Sequence, residues 1–505
     1  MAQKSSKAQS VIPISIKFNG GINLSDAPAN IADNELVRGL NFIYDCQTGV
    51  PETRPGTSCI NATTALAGPI LNMHYYEKSA SDKWLVVAAK GKLYYLVTAS
   101  GTFTEFATLH DTTTVPTFVT YNAKLIVADG SADLYQWDGS TYSAIAGSPD
   151  ASVIAVSKGR LITNSVSEPD SIYLCAPYDE TDWNTATGSA LGLRAGYGDG
   201  MTIVGGAAYG DDIIVFKRGD REKRIYRLNT ADPTPANWYV SELSENNTAQ
   251  NSLAMVTAFN NVFFVDTNGF KSIKGVTEYG DMQTDLIGGK VNPAFAGSAI
   301  CDFCTYVPLY AAIWFGVSSR VYVYHRIADA DGSVQHAFTE LIFQQGRICC
   351  LCQAGSTLYL GGYNGYLYKI DTGVSTDGTA PGVVEAFSSV LRTKQFPMFG
   401  EGILRKTEVY LKPVTSGTAI LSAFNGPETS VNIKSVVLRG MGEELVGATG
   451  GLDAATTFLF DGGVQAWFET SYNRVRGRTL QFQFSVSSGR VGVQGLKAEI
   501  APVAG

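Results

Sequence analysis

The stretch from Leu358 to Ile370, Leu-Tyr-Leu-Gly-Gly-Tyr-Asn-Gly-Tyr-Leu-Tyr-Lys-Ile, restricts this chain more than any other. Two short runs of alternating large apolar residues flank an Asn-Gly turn, which is the strongest local signal for a β-hairpin. The same grammar recurs upstream at Leu85…Tyr94, Leu125…Tyr135, Leu161…Tyr173, Ile213…Tyr226, Val262…Ile273 and Ile313…Tyr322. The anchors 85, 125, 161, 213, 262, 313 and 358 are separated by 40, 36, 52, 49, 51 and 45 residues. Six of the seven units set a Tyr directly after the Leu, Ile or Val that opens the second run; Ile273 is the exception. A two-strand unit cannot bury its own apolar face, so such units must stack on one another. Repeats of roughly 40–50 residues with several short strands each point to propeller blades. The competing reading is a set of hairpins inside one large sandwich.

The rest of the chain fits around that repeat. Residues 1–11 read as a flexible arm, and Ile12 onward as a strand with a Gly-Gly turn. Asp33 is placed as an N-cap, with Leu36, Leu40 and Ile43 at helical spacing, which predicts a short helix. Residues 61–382 hold the repeats, and the Ser375–Gly382 stretch is a boundary by composition. From Val383 the strands lengthen and lose the repeat grammar, as in Leu480-Gln-Phe-Gln-Phe-Ser-Val, a strict period-2 alternation. The expectation is therefore an all-β chain: an N-terminal arm and docking segment (1–60), a β-propeller of about seven blades (61–382), and a C-terminal antiparallel β-sandwich platform (383–505). Long loops at Ala176–Trp183 and Thr230–Trp238 are expected to carry partner contacts.

Composition limits the function. With 45% hydrophobic residues and mean hydropathy near zero, this is a foldable globular chain. No apolar run reaches the ~20 residues of a membrane helix, and the polar first residues lack a signal-peptide core, so a cytoplasmic origin is expected. The eight cysteines, several inside apolar runs such as Ile348-Cys-Cys-Leu-Cys352, read as reduced, buried thiols. Net charge is −8 without long single-sign runs, which argues against tight nucleic-acid binding but not against letting a duplex slide past.

Candidate sites are few. Cys301-x-x-Cys304 with Cys349, Cys350 and Cys352 offers thiolates for a zinc site, but adjacent cysteines on one strand point to opposite faces, so buried thiols are expected. Asp329-x-Asp331-Gly332 hints at a calcium loop but has Ile327 and Phe338 where an EF-hand needs ligands. The basic run around Lys217 and Arg218 reads as a solvated turn with phosphate contact as the functional alternative. Arg474, Arg476 and Arg478 share one face of an extended segment and suit carboxylates of a neighbouring subunit. No nucleophile elbow or phosphate-binding loop occurs, and Gly196-x-Gly198-x-Gly200 precedes a strand instead of following one, so no dinucleotide site is expected. The four histidines share no catalytic motif. No enzyme activity, cofactor or metal is expected.

Three stretches together resemble the tail hub and nozzle proteins (packaged-DNA stabilisation proteins) of short-tailed bacteriophages. They are Phe18-Asn-Gly-Gly-Ile-Asn…Arg54-Pro-Gly56, Gly159-Arg-Leu…Asp182-Trp183…Phe216-Lys217…Ile225-Tyr226, and Arg474-Val-Arg-Gly-Arg…Val491-Gly-Val-Gln-Gly-Leu-Lys-Ala-Glu-Ile500. The resemblance spans nearly the whole chain, on short motifs. It implies a structural virion protein assembled in the host cytoplasm: a homohexameric ring in the tail, under portal and adaptor rings, carrying spikes or fibres. Such a ring retains packaged double-stranded DNA and passes it, without sequence specificity, at ejection. On that reading Arg54, Lys217, Arg218, Arg474, Arg476 and Arg478 are candidate subunit or DNA contacts. The alternatives are a monomeric propeller that binds peptides or glycans, or a glycan-active hydrolase with carboxylates at one mouth of the propeller.

Overall fold

A computed structural model describes residues 11–97, 101–110, 115–131, 133–275, 282–285, 287–295, 300–328, 334–425, 430–438, 467–472 and 475–502. The described chain is strand almost throughout, with four short 3-10 segments. Each hairpin recognised in the sequence is the second and third strand of a four-stranded antiparallel blade. In the hairpin at 358, Thr357–Gly362 pairs with Leu367–Asp371, Tyr359 lying opposite Lys369.

Six blades are built from four consecutive strands: blade 1 (70–108), blade 2 (117–144), blade 3 (154–194), blade 4 (202–245), blade 5 (255–285) and blade 6 (301–341). A composite blade completes the circle. Its three inner strands are Ile348–Ala354, Thr357–Gly362 and Leu367–Asp371, and its fourth is Gly56–Cys59, from the other end of the chain. The first strand of each blade lies beside the first strand of the next, and Ile348–Ala354 lies beside Ile70–Glu77, so the ring is closed. The repeated apolar residue opening each third strand is core: Leu93, Leu134, Ile225 and Leu367 are all fully buried. Between blades 1 and 2 an aromatic stack fills the gap, with Trp137 4.1 Å from Phe106 and 5.3 Å from Trp84.

Residues 1–10, most of the expected arm, lie outside the described residues, and the strand expected from Ile12 is present. Ile12–Ile16 pairs antiparallel with Val491–Pro502, Ile12 lying opposite Ile500. The helix expected after Asp33 is a strand, Leu36–Leu40, inserted between blade 6 and Ser389–Thr393. The i, i+4 spacing of Leu36 and Leu40 suits one face of a strand as well as a helix, and two waiting partner strands decide it. Asp33 caps nothing there; its carboxylate meets Lys394 Nζ at 2.5 Å.

The C-terminal strands match the period-2 reading closely: Phe396–Pro413, Gly417–Phe424, Ser430–Leu438, Trp467–Tyr472, Arg476–Ser488 and Val491–Pro502. The apolar run Phe458-Leu-Phe460 lies outside the described residues. These strands, the N-terminal ones and blade 6 form one continuous 15-stranded sheet. Arg476–Ser488 passes from partners Ser389–Thr393 and Gly417–Phe424 at one end to Phe396–Pro413 at the other. Val409, Leu411 and Leu496 from one half join Leu421, Val436 and Phe484 from the other in a single buried cluster. Platform and propeller therefore share a sheet and a core, with Ile12–Ile16 and Val491–Pro502 both in that sheet.

Candidate functional site

The basic residues singled out in the sequence are dispersed, and the two most prominent are buried. Arg54 directly precedes the closing strand Gly56–Cys59 and is wholly inaccessible, as is its partner Asp377. Its Nη1 donates to Asp377 Oδ1 (2.8 Å) and the Pro55 carbonyl (3.0 Å), and Nη2 to Asp377 Oδ2 (2.6 Å) and the Ile342 carbonyl (2.8 Å). Nε donates to Asn41 Oδ1 at 3.1 Å, so all five N–H groups are used. The Phe387 and Phe343 rings lie 3.6 and 4.5 Å from the guanidinium carbon. Asp377 also accepts from Thr57 Oγ1 and the Gln344 amide. The cluster ties the closing strand, blade 6 and the platform together; it is a clasp, not a contact surface. Gly56 beside it must be glycine, since a Cβ there would lie 2.0 Å from the Thr376 carbonyl oxygen.

Lys217 is the last residue but one of the second strand of blade 4, Asp212–Arg218, and is equally inaccessible. Its Nζ donates to Asp170 Oδ1 (2.7 Å), Asp199 Oδ1 (2.8 Å) and the Ala195 carbonyl (2.6 Å). The Gly196–Gly200 run wraps this ammonium. Its three glycines have φ of 61°, 73° and 72°, and the Gly198 amide donates to the far oxygen of Asp170. This accounts for the glycine pattern without a nucleotide. Asp170 and Asp199 are the nearest thing here to a paired-carboxylate site. The ammonium held between them fills the space a substrate bond would need, and burial of Asp170 is outweighed by Lys217, holding its carboxyl below the usual range. A glycosidase pair needs one raised and one ordinary carboxyl around an accessible gap.

Arg218, next in the chain, is exposed and donates to the Gln250 carbonyl at 3.1 Å. Arg476 is exposed and ion-paired to Glu401, and Arg478 is exposed. Arg474 lies outside the described residues, so nothing is said of its grouping with the other two. The cysteines are free thiols; burial pushes Cys349 and Cys352 up to about 12, which makes them poor nucleophiles and poor metal ligands. Among the described residues no cluster of His, Cys, Asp or Glu is arranged to hold a metal. The calcium-like turn at 329–332 lies outside them. His325 is buried against Tyr44 and pushed down to about 3 by burial, hence neutral. The two long loops expected to reach partners are pinned by their own tryptophans: Trp183 donates to the Glu180 carbonyl and Trp238 to the Asp232 carbonyl.

Two concavities gather residues from several blades, which is why sequence reasoning did not find them. One, of about 410 Å³, lies where the first strands of blades 3 and 4 begin, and is lined by neutral groups including Ser152, Asn164, Thr202 and Asn251. The other, of about 740 Å³, lies between blades 5 and 6 beneath Tyr209, Phe259, Phe263 and Tyr324, with Lys290 and Arg326 at its side. Lys290 is already paired with Glu35 at 2.8 Å, and Arg326 stacks 4.9 Å over Phe259.

The strand order and ring closure define this chain as a β-propeller scaffold fused through a continuous sheet to a β platform. No family model and no curated protein matches it. Among solved structures it is similar to a computationally designed protein, Ika8 (11% identity, TM-score 0.38, covering 62% of this chain and 99% of that one). It is also similar to YCF48 bound to a D1 peptide (11%, 0.40, 63% and 95%) and to BamB from Moraxella catarrhalis (12%, 0.38, 63% and 97%). At these scores the likeness carries nothing about ligand or partner.

Proposed function

We propose that this chain is a structural virion protein, a subunit of the tail hub or nozzle ring of a short-tailed phage, without enzymatic activity. The observation that supports it best is mechanical. Ile12–Ile16 and Val491–Pro502 lie in one sheet with blade 6, and the Arg54–Asp377 clasp ties that sheet to the closing blade. A unit joined in this way moves as one wall element, which suits a conduit under pressure. Six copies at −8 each would present a net negative assembly, repelling DNA phosphates and preventing sticking. The partners on this reading are further copies of the chain, portal-adaptor proteins, spikes or fibres, and duplex DNA in transit. The resemblance at both ends of the sequence points the same way.

The test is the mass and image of the protein in solution and in assembled particles. A closed ring of six 54.0 kDa subunits around an open passage is expected. A lone 54.0 kDa species, persisting inside particles, would overturn the proposal. The aromatic groove between blades 5 and 6 favours a second reading, a monomeric propeller that binds peptides or glycans; saturable glycan binding by the monomer would favour it.

A further inference from the structure

Several deeply placed cations in this fold have a counter-charge, while buried Arg160 is satisfied by the Cys175 and Ser189 carbonyls. Arg54 has Asp377, Lys217 has Asp170 and Asp199, Lys223 and Lys271 share Asp266, and Arg347 has Asp302. One pair, exposed Arg38 and half-buried Arg392, has neither kind of partner among the described residues. Arg38 on Leu36–Leu40 and Arg392 on Ser389–Thr393 lie directly opposite each other across an antiparallel pair, so their side chains share one face. The row continues through Gln483, Ser422 and Asn432 on the next three strands, and contains no carboxylate.

Like charges placed opposite each other destabilise a sheet. The Arg392 guanidinium is also held in place, stacked 3.9 Å over the Phe424 ring. Its Nε is buried and has no hydrogen-bond partner. Among the described residues no carboxylate or carbonyl meets either guanidinium. Burial, reinforced by the neighbouring Arg38, disfavours the charged form of Arg392, so the arrangement is uncomfortable as it stands. A buried N–H without a partner in a well-packed sheet calls for a missing acceptor.

We propose that Arg38 and Arg392 together form a receptor for a phosphate- or sulfate-type oxyanion, held by both guanidiniums on the sheet face that they share. Directly opposed side chains start about 5 Å apart, a spacing at which two planar forks can converge on one anion. A tetrahedral oxyanion offers three or four acceptor oxygens, enough for both forks, whereas one carboxylate offers two. The Phe424 ring fixes the plane of one fork in advance. The two neutral amides and one hydroxyl along the row oppose no anion. The inference is independent of the nozzle reading.

The test uses the full chain with inorganic phosphate, against sodium chloride of equal ionic strength, read by calorimetric titration and thermal unfolding. Wild type should bind one phosphate per chain, with a saturable rise in Tm. Arg38→Gln and Arg392→Gln should each weaken that binding at least ten-fold. In chloride, Arg38→Gln should be no less stable than wild type, because the like-charge contact is gone. Arg478→Gln, an exposed arginine elsewhere, should respond to phosphate as wild type does. No saturable response in wild type, or an undiminished response in Arg38→Gln, overturns the site. Arg38 is exposed, so that variant stays informative even if Arg392→Gln fails to fold.

Discussion

Replacing Arg54 by Met should unfasten the ring at its seam. The guanidinium and the Asp377 carboxylate are both wholly buried, and Met has about the length and none of the charge of the side chain it replaces. The variant leaves a carboxylate in the core with only Thr57 Oγ1 and the Gln344 amide to stabilise it, and strips partners from the Asn41 side chain and the Pro55 and Ile342 carbonyls. Removing one partner of a buried pair typically costs about 3–5 kcal/mol. Loss of stacking against Phe387 and Phe343 adds to the cost, so the upper end of that range is expected. The loss should begin locally. Amides of Gly56–Cys59 and Leu367–Asp371, which pair across the seam, should exchange hydrogen well before those of blade 4. The double variant Arg54→Met/Asp377→Leu should recover most of the lost stability, because a well-packed apolar pair can replace a buried ion pair at little cost. Urea unfolding followed by exchange mass spectrometry measures both effects. A loss below about 1 kcal/mol in Arg54→Met, a size typical of an exposed ion pair, or seam amides protected as in wild type, would refute the clasp.

Lys217 and Arg218 are adjacent in sequence and opposite in consequence. Lys217→Met should cost roughly 3–5 kcal/mol, since it strands two carboxylates, whereas Arg218→Ala should stay within about 0.5 kcal/mol; equal effects in urea titrations would contradict the assignment. His325 gives a pH signature. Its folded-state value, about 3, is depressed below the ordinary ~6.5, so the unfolded chain takes up the proton first and stability falls as pH drops from about 6.5 toward 3. His325→Phe should flatten that part of the stability curve, and an unchanged slope would show that the imidazole is not held neutral.

Much of the architecture is legible in local patterns. All seven hairpin anchors fall on the second strand of a blade or of the composite sheet, because alternation, Asn/Gly turns and a buried opener are properties of neighbours in sequence. The long platform strands from Phe396 to Pro502 were visible for the same reason. The segment Leu36–Leu40 was read as a helix because i, i+4 spacing is common to both structures over five residues. Charge was the least legible feature. Arg54, Lys217 and Arg392 are alike in the sequence, each a cation in a polar or extended stretch with nothing local to show its partner. One is a clasp, one a cage, and one an unpaired guanidinium beside another. The carboxylates that decide between these fates lie 323 residues away for Arg54 and 47 for Lys217.

The sequence by itself determined that this is a β protein of repeated hairpins followed by longer alternating strands, since side-chain periodicity is set within a few residues. Only the tertiary structure decided how the ring closes, that N-terminal strands fill the last blade and the platform, and which cations are exposed. Strand partners and counter-charges are chosen by folding between segments hundreds of residues apart, and nothing local encodes them.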